Sequence, residues 1–377
     1  SFTIMGHPSI SLREVPLSTH SCFYSCGCAL LTPTSVMVVG MNDWEDESNE
    51  DDDTQRDPCA IISLSIEGDT VTLKDVISPS PVNPRLYGSA VERVGPHVYV
   101  FGGYDEGSEV FVSELHRYTV DTDTWETVGG LNVKEVKRRE WQDIPYDYSP
   151  GGIKWPCPRG GCLSGCIDGL FFISAGNDNT GEGVYDSWVY DPSIGIWSEV
   201  VHSTPSHPVP SESGPEYTKR GTLHCHDVNV RVAPQTTRTA TVSGSGGKRG
   251  GDCLVCTLYS ITTTEGTTPC TEYVAVWSTL PMPFRSSGAA ELSIPGSTVV
   301  VGGHGHQGKY HCLDTLSLEW SEERVPRIEG EAPKKSSNFY AGSGCMFGGD
   351  YESLYGVLHT VSGTMLVTVT EEGEEMH

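Results

Sequence analysis

An apolar run that stops at a pair of small residues recurs four times along this chain, at Val39-Gly40, Gly102-Gly103, Ala175-Gly176 and Gly302-Gly303. Two of the pairs are followed by a tyrosine, six further residues and a tryptophan: Tyr118 to Trp125 and Tyr190 to Trp197. A turn precedes each tryptophan, Asp121-Thr-Asp-Thr in the first case and Asp191-Pro-Ser-Ile-Gly-Ile in the second. A unit repeated at this spacing is too small to bury its own apolar faces. It predicts copies stacked against one another rather than one continuous core.

The composition agrees with short strands and many turns. The chain has 377 residues, with 43 glycines and 24 prolines, and an all-β, turn-rich class follows. No apolar run is long enough to cross a bilayer, and no secretion signal is read at the start of the chain. Thirteen cysteines, an odd number and mostly inside apolar strands, are read as reduced thiols, and the expected location is cytoplasmic or nuclear. Cys253 and Cys256 lie three apart in a strand-like run, so they face opposite sides and make a poor zinc chelate.

The formal net charge is −26, concentrated in places. Residues 43–57 hold nine carboxylates against Arg56 and read as a solvated acidic loop between two strands. Such a balance excludes nucleic-acid binding through the phosphates, which needs clustered Lys and Arg, and suits a basic partner.

Along the chain, residues 22–40 read as two strands about a Thr-Pro-Thr-Ser turn, and residues 59–76 supply the outer pair of the same unit. The clearest unit runs from Asn83 to Val128, and the next from Gly161 to Val200. The fourth unit, from Thr222 to Leu280, lacks a clear glycine pair and carries a Gly-rich insertion at 233–252. A fifth ends at Trp320, and a sixth is one strand short. The strand-like N-terminal residues 2–16 are expected to complete that sixth unit, since sharing a unit between the chain ends removes an exposed edge. The insertion at 131–158 holds the dense basic run KEVKRREW and reads as a docking helix or a cover over one face.

The glycine pairs and the Tyr-x6-Trp spacing resemble the kelch repeat, one four-stranded blade of a β-propeller. The resemblance covers most of the chain and is cleanest in blades two, three and five. It implies one kelch-type β-propeller over residues 1–377, with six blades, or seven if the long fourth region divides. It implies scaffold roles for Trp125, Trp197, Trp277 and Trp320 as wedges between blades, and for Tyr118 and Tyr190 as buried rings with a hydroxyl on nearby backbone. Similar propellers are mostly protein-binding platforms, often substrate receptors of ubiquitin ligases joined to an F-box or BTB domain. No such helical segment is read here before the first blade.

In similar kelch domains partner contacts gather in the loops after the glycine pair and in the segment opening the next blade. Carried onto this chain, the first set is Asn42, Tyr104, Asn177 and His304; the second is Arg85, Tyr87, Arg159, Arg285, Ser286, Lys335 and Ser336. Arginines in such positions can take carboxylates of an acidic peptide, or can instead pair with a local Asp. The function expected from the resemblance is a monomeric, non-enzymatic adaptor that binds a protein or peptide, without cofactor, metal or membrane. The rival is a propeller enzyme with a metal or sugar site in the central channel. His224 and His226 share a strand face, and His304, His306, His311 and Cys312 cluster, but the Glu-x3-Asp-x3-His run of the iron-dependent propellers does not occur.

Overall fold

In the computed structural model the described residues are 8–15, 17, 23–42, 59–67, 70–83, 86–130, 155–179, 184, 186–202, 218–225, 252–265, 268–284, 289–294, 297–302, 308–314, 317–329, 343–348, 353–360 and 363–371. All regular structure among them is β, and the strands form antiparallel meanders, with a parallel pairing added in two of the sheets. The acidic run 43–57, the insertion residues 131–154 and most of 233–252 lie outside the described residues.

The chain divides into two compact units, Ser1–Tyr87 with Met282–His377, and Gly88–Pro281. The first holds blade one, with strands Phe23–Thr32, Ser35–Asn42, Cys59–Glu67 and Thr70–Ile77 in order. Its strands are rich in β-branched residues, and Val36, Val38, Ala60, Ile62 and Leu64 bury one face. Val39-Gly40, expected to end a strand, lies inside Ser35–Asn42 instead, where Val39 pairs with Cys59. Blade five follows Ala290–Ile294, Ser297–Val301 and Tyr310–Asp314; single bridges from Leu313 to Trp320 and from Tyr310 to Arg324 stand in for its fourth strand.

Blade six takes Ser343–Met346, Leu354–Thr360 and Gly363–Glu371 from the C-terminal part, and Pro8–Glu14 from the N-terminal part. The last pairing is antiparallel, from Pro8 opposite Glu371 to Glu14 opposite Met365. The expected completion of this blade by the N-terminus is therefore what the structure has. Ile10 and Leu12 alternate inward and join Leu358, Val367 and Val369 in one apolar cluster. A short strand, Arg327–Glu329, runs parallel along the far side of Pro8–Glu14 and covers that edge.

Blade six also buries an imidazole. His359 is fully enclosed, with Nδ1 2.9 Å from the Thr364 hydroxyl, and burial pushes its pKa down to about 4. A histidine held neutral in the fold but free to charge when unfolded makes stability fall with acid. The stabilisation is complete above pH 6.5 and disappears as the pH drops through 4. The shift amounts to about 3 kcal/mol over that interval. Urea unfolding between pH 7 and pH 4 is expected to show this slope, and His359→Gln to flatten it. An unchanged slope in the variant would assign the acid sensitivity elsewhere.

The second unit holds blade two, with strands Ala90–Val94, His97–Phe101, Leu115–Thr119 and Thr124–Gly129. It also holds blade three, with strands Leu163–Ile167, Leu170–Ser174, Ser187–Asp191 and Ile196–His202. Blade four is a three-stranded meander of Thr218–Cys225, Asp252–Glu265 and Thr268–Pro281. Blades three and four are fused at one edge: Val200, Val201 and His202 pair in parallel with Tyr273, Val274 and Ala275. Cys253 and Cys256 share one long strand, as read, and Cys256 is buried. Trp197 is the wedge that the repeat implied, packed against Phe101, Phe171 and Tyr190. Trp125 differs, being only partly covered. The hydroxyl of Tyr118 donates to the Asp123 carboxylate at 2.8 Å rather than to backbone.

Candidate functional site

Gly102 and Ala175 occupy the same place in consecutive blades, with φ of +65° and +58°. Glycine adopts this left-handed conformation freely, while alanine is held there at about 1 kcal/mol or more. The two sites differ in crowding. A Cβ on Gly102 would strike the carbonyl oxygen of Arg159, so blade two has no room for a side chain at that position.

The segment that opens blade three is threaded between these turns. The Arg159 amide donates to Val112 O at 3.0 Å, and its carbonyl accepts from the Gly103 amide at 2.8 Å. One residue later, Gly160 and Asn177 exchange both backbone bonds, at 3.0 and 2.9 Å. Backbone from two blades is therefore knitted through two residues.

Beyond Gly103 the chain makes a small hairpin. Tyr104 stands opposite Phe111, their rings 5.0 Å apart and nearly perpendicular. Asp105 caps the turn by accepting from the Gly107 amide at 3.0 Å and from the Ser108 hydroxyl. The hairpin is fixed to blade three by the Asn179 amide, which accepts from Phe111 N at 2.7 Å and donates to Phe111 O at 3.0 Å. The loops after the two glycine turns thus form one braced surface, held by strands on either side.

Of the expected contact residues, Tyr104 is half-buried and Asn177 exposed on this surface. Tyr87 is half-buried in a two-residue strand of the other unit, and Asn42 ends the strand Ser35–Asn42 there. Arg85, Arg285, Ser286, His304, Lys335 and Ser336 lie outside the described residues. Arg159 needs correcting. Its side chain is 0% exposed and forms a two-pronged ion pair with Asp186, Nη2 lying 2.9 Å from Oδ2. Trp188 Nε1 donates to the same carboxylate at 2.7 Å, and Cys157 Sγ accepts from Nη2 at 3.0 Å. Burial disfavours the arginine charge, but the Cys157 sulfur and the Asp186 carboxylate outweigh it and hold the group protonated. Burial likewise works against the Asp186 charge, and the Arg159 bonds overcome it, leaving that pKa lowered. A guanidinium spent in this way cannot reach a partner, and the local-Asp alternative is the one realised.

Asn179, Phe111 and Asp186 were not singled out in the sequence. Asp186 had a signal: it lies four residues before Tyr190, as Glu114 lies four before Tyr118. Both backbone carbonyls accept from the first residue of their small pair, at 3.0 Å in each blade.

The histidine cluster does not assemble a metal centre in the part that is described. His311 is buried, stacked face to face on Phe284 at 3.8 Å, with Nε2 4.0 Å from a Glu323 oxygen. Cys312 is its chain neighbour and points to the other face of the strand. His304 and His306 lie outside the described residues, as does His226; for His224 the strand alone is described. Burial raises the Cys312 thiol to about 12, away from the thiolate that a metal requires.

Residues 85–132 match the kelch motif. Blade two is therefore a kelch repeat. The matched segment spans blade two from its opening residues to its last strand, including Gly102-Gly103, Tyr118 and Trp125. A solved structure titled "Structure of YjhT" is similar at 13% sequence identity, covering 96% of this chain and 97% of that one with a TM-score of 0.47. No curated protein matches the sequence.

Proposed function

We propose that this kelch propeller is a non-enzymatic interaction scaffold that grips a protein or peptide through the loops following its glycine turns. The braced hairpin Tyr104–Phe111 carries the reading. Its backbone is tied to the next blade by both polar atoms of the Asn179 amide, so it meets a partner already ordered. Binding then loses little conformational entropy at the loop, which is the advantage of a rigid contact surface. The partly exposed Tyr104 ring supplies an amphipathic anchor, and the exposed Asn177 an adaptable polar one.

A finer role, as substrate receptor for ubiquitin ligation in cytoplasm or nucleus, is the form of this proposal that the kelch resemblance suggests. The test is affinity purification with mass spectrometry from the native cell. Tyr104→Ala with Asn177→Ala is expected to weaken partner capture roughly tenfold or more. Its melting temperature should stay near that of the wild type, because neither side chain is in the core. Undiminished capture would remove the loop assignment. Stoichiometric copper, iron or zinc in the purified protein, with turnover, would replace the scaffold by an enzyme.

A further inference from the structure

We infer that the blade-two hairpin receives a lysine- or arginine-bearing segment, so that this part of the partner is basic; the inference rests on the scaffold reading above. Three observations carry it together. The cross-strand pair Tyr104 and Phe111 presents two partly exposed aromatic rings on the loop surface. Rings so placed attract a cation over their faces. Glu106 and Glu109 are exposed on the turn between those rings. Finally, residues 102–113, 157–161 and 176–179 contain a single cationic side chain, Arg159, and it is enclosed with Asp186. No positive charge from these segments therefore faces a partner. The net charge of −26 adds a long-range field of the same sign, which speeds encounter with a basic partner.

The measurement is fluorescence anisotropy on the whole chain with two labelled twelve-residue peptides, one repeating Lys-Gly-Ser and one repeating Glu-Gly-Ser. The lysine peptide is expected to bind, and more weakly as salt rises. Glu106→Lys with Glu109→Lys should weaken it roughly tenfold, and Tyr104→Ala roughly fivefold. Reversal of three charges in the acidic run, Asp51→Lys, Asp52→Lys and Asp53→Lys, should change it by less than about twofold if the hairpin is the site. Equal losses in the two charge-reversal variants would mean unspecific attraction to an acidic protein and would overturn the inference. So would tighter binding of the glutamate peptide, or no effect of either hairpin variant. The same variants separate this inference from the reading it rests on. If Glu106→Lys/Glu109→Lys still captures the native partner while Tyr104→Ala/Asn177→Ala does not, the basic-segment inference fails and the scaffold stands. If the wild-type chain captures no protein, the scaffold reading itself fails.

Discussion

Arg159→Leu is expected to destabilise the Gly88–Pro281 unit by about 3–5 kcal/mol, because the substitution leaves the Asp186 carboxylate largely enclosed without its cation. The loss should be specific to the missing charge. Arg159→Leu combined with Asp186→Leu removes both members of the pair and is expected to recover a good part of the stability, since apolar replacement of a buried pair is often near neutral. The backbone bonds of Arg159 to Val112 and Gly103 do not depend on its side chain and should persist in both variants. Denaturant unfolding followed by tryptophan fluorescence will read the effect, given that Trp188 donates to Asp186 and Trp155 and Trp197 pack nearby. A single variant as stable as the wild type would mean that the pair contributes nothing. A double variant worse than the single would mean that the site needs polarity rather than charge balance.

Deletion of residues 1–15 is expected to have an effect of similar or larger size on the other unit. Pro8–Glu14 supplies a seven-residue antiparallel ladder to Gly363–Glu371, and its inward residues Ile10 and Leu12 are essentially inaccessible to water. Burying each such side chain stabilises by about 1.5–3 kcal/mol, so the two together contribute on the order of 5 kcal/mol, comparable with the whole stability of many domains. The truncated chain should melt far lower and aggregate through the bared edge of Gly363–Glu371. A synthetic peptide of residues 1–15 added in trans should restore part of the melting temperature. A truncated chain that unfolds like the full one would remove the N-terminal strand from the account of stability.

Much of the architecture could be read from spacing, because the repeat signals are local. The pair Gly102-Gly103 reports a backbone angle that only glycine takes freely, and that requirement is visible in one chain. Trp197 is legible for the same kind of reason: only a residue of that size fills the place between strands of two blades. The completion of blade six by residues 8–14 was also within reach, since a unit one strand short needs a donor and the chain's start has strand character. Where the reading went astray, the deciding partner was distant in sequence. Arg159 looked like a surface cation in a loop, and nothing near it says that Asp186, twenty-seven residues on, would enclose it. Val39-Gly40 fits the small-pair pattern, yet the strand continues past it because Phe23 and Tyr24 pair with Asn42 and Met41 there. Asn179 carries no sequence signature for bracing Phe111, as any exposed loop asparagine looks the same. The parallel joint of blades three and four had no signal either, because three residues of pairing leave no periodicity of their own.

That joint has a consequence for how the molecule opens. Amides along Ile196–His202 would ordinarily sit at an outer rim and exchange with solvent early, yet here Thr268–Pro281 lies alongside the last three residues. Deuterium uptake at Val200 to His202 should therefore be slow and should quicken only when the long hairpin Asp252–Pro281 peels away. Two neighbouring propeller segments that would otherwise loosen independently are in this way coupled to come apart in a single step.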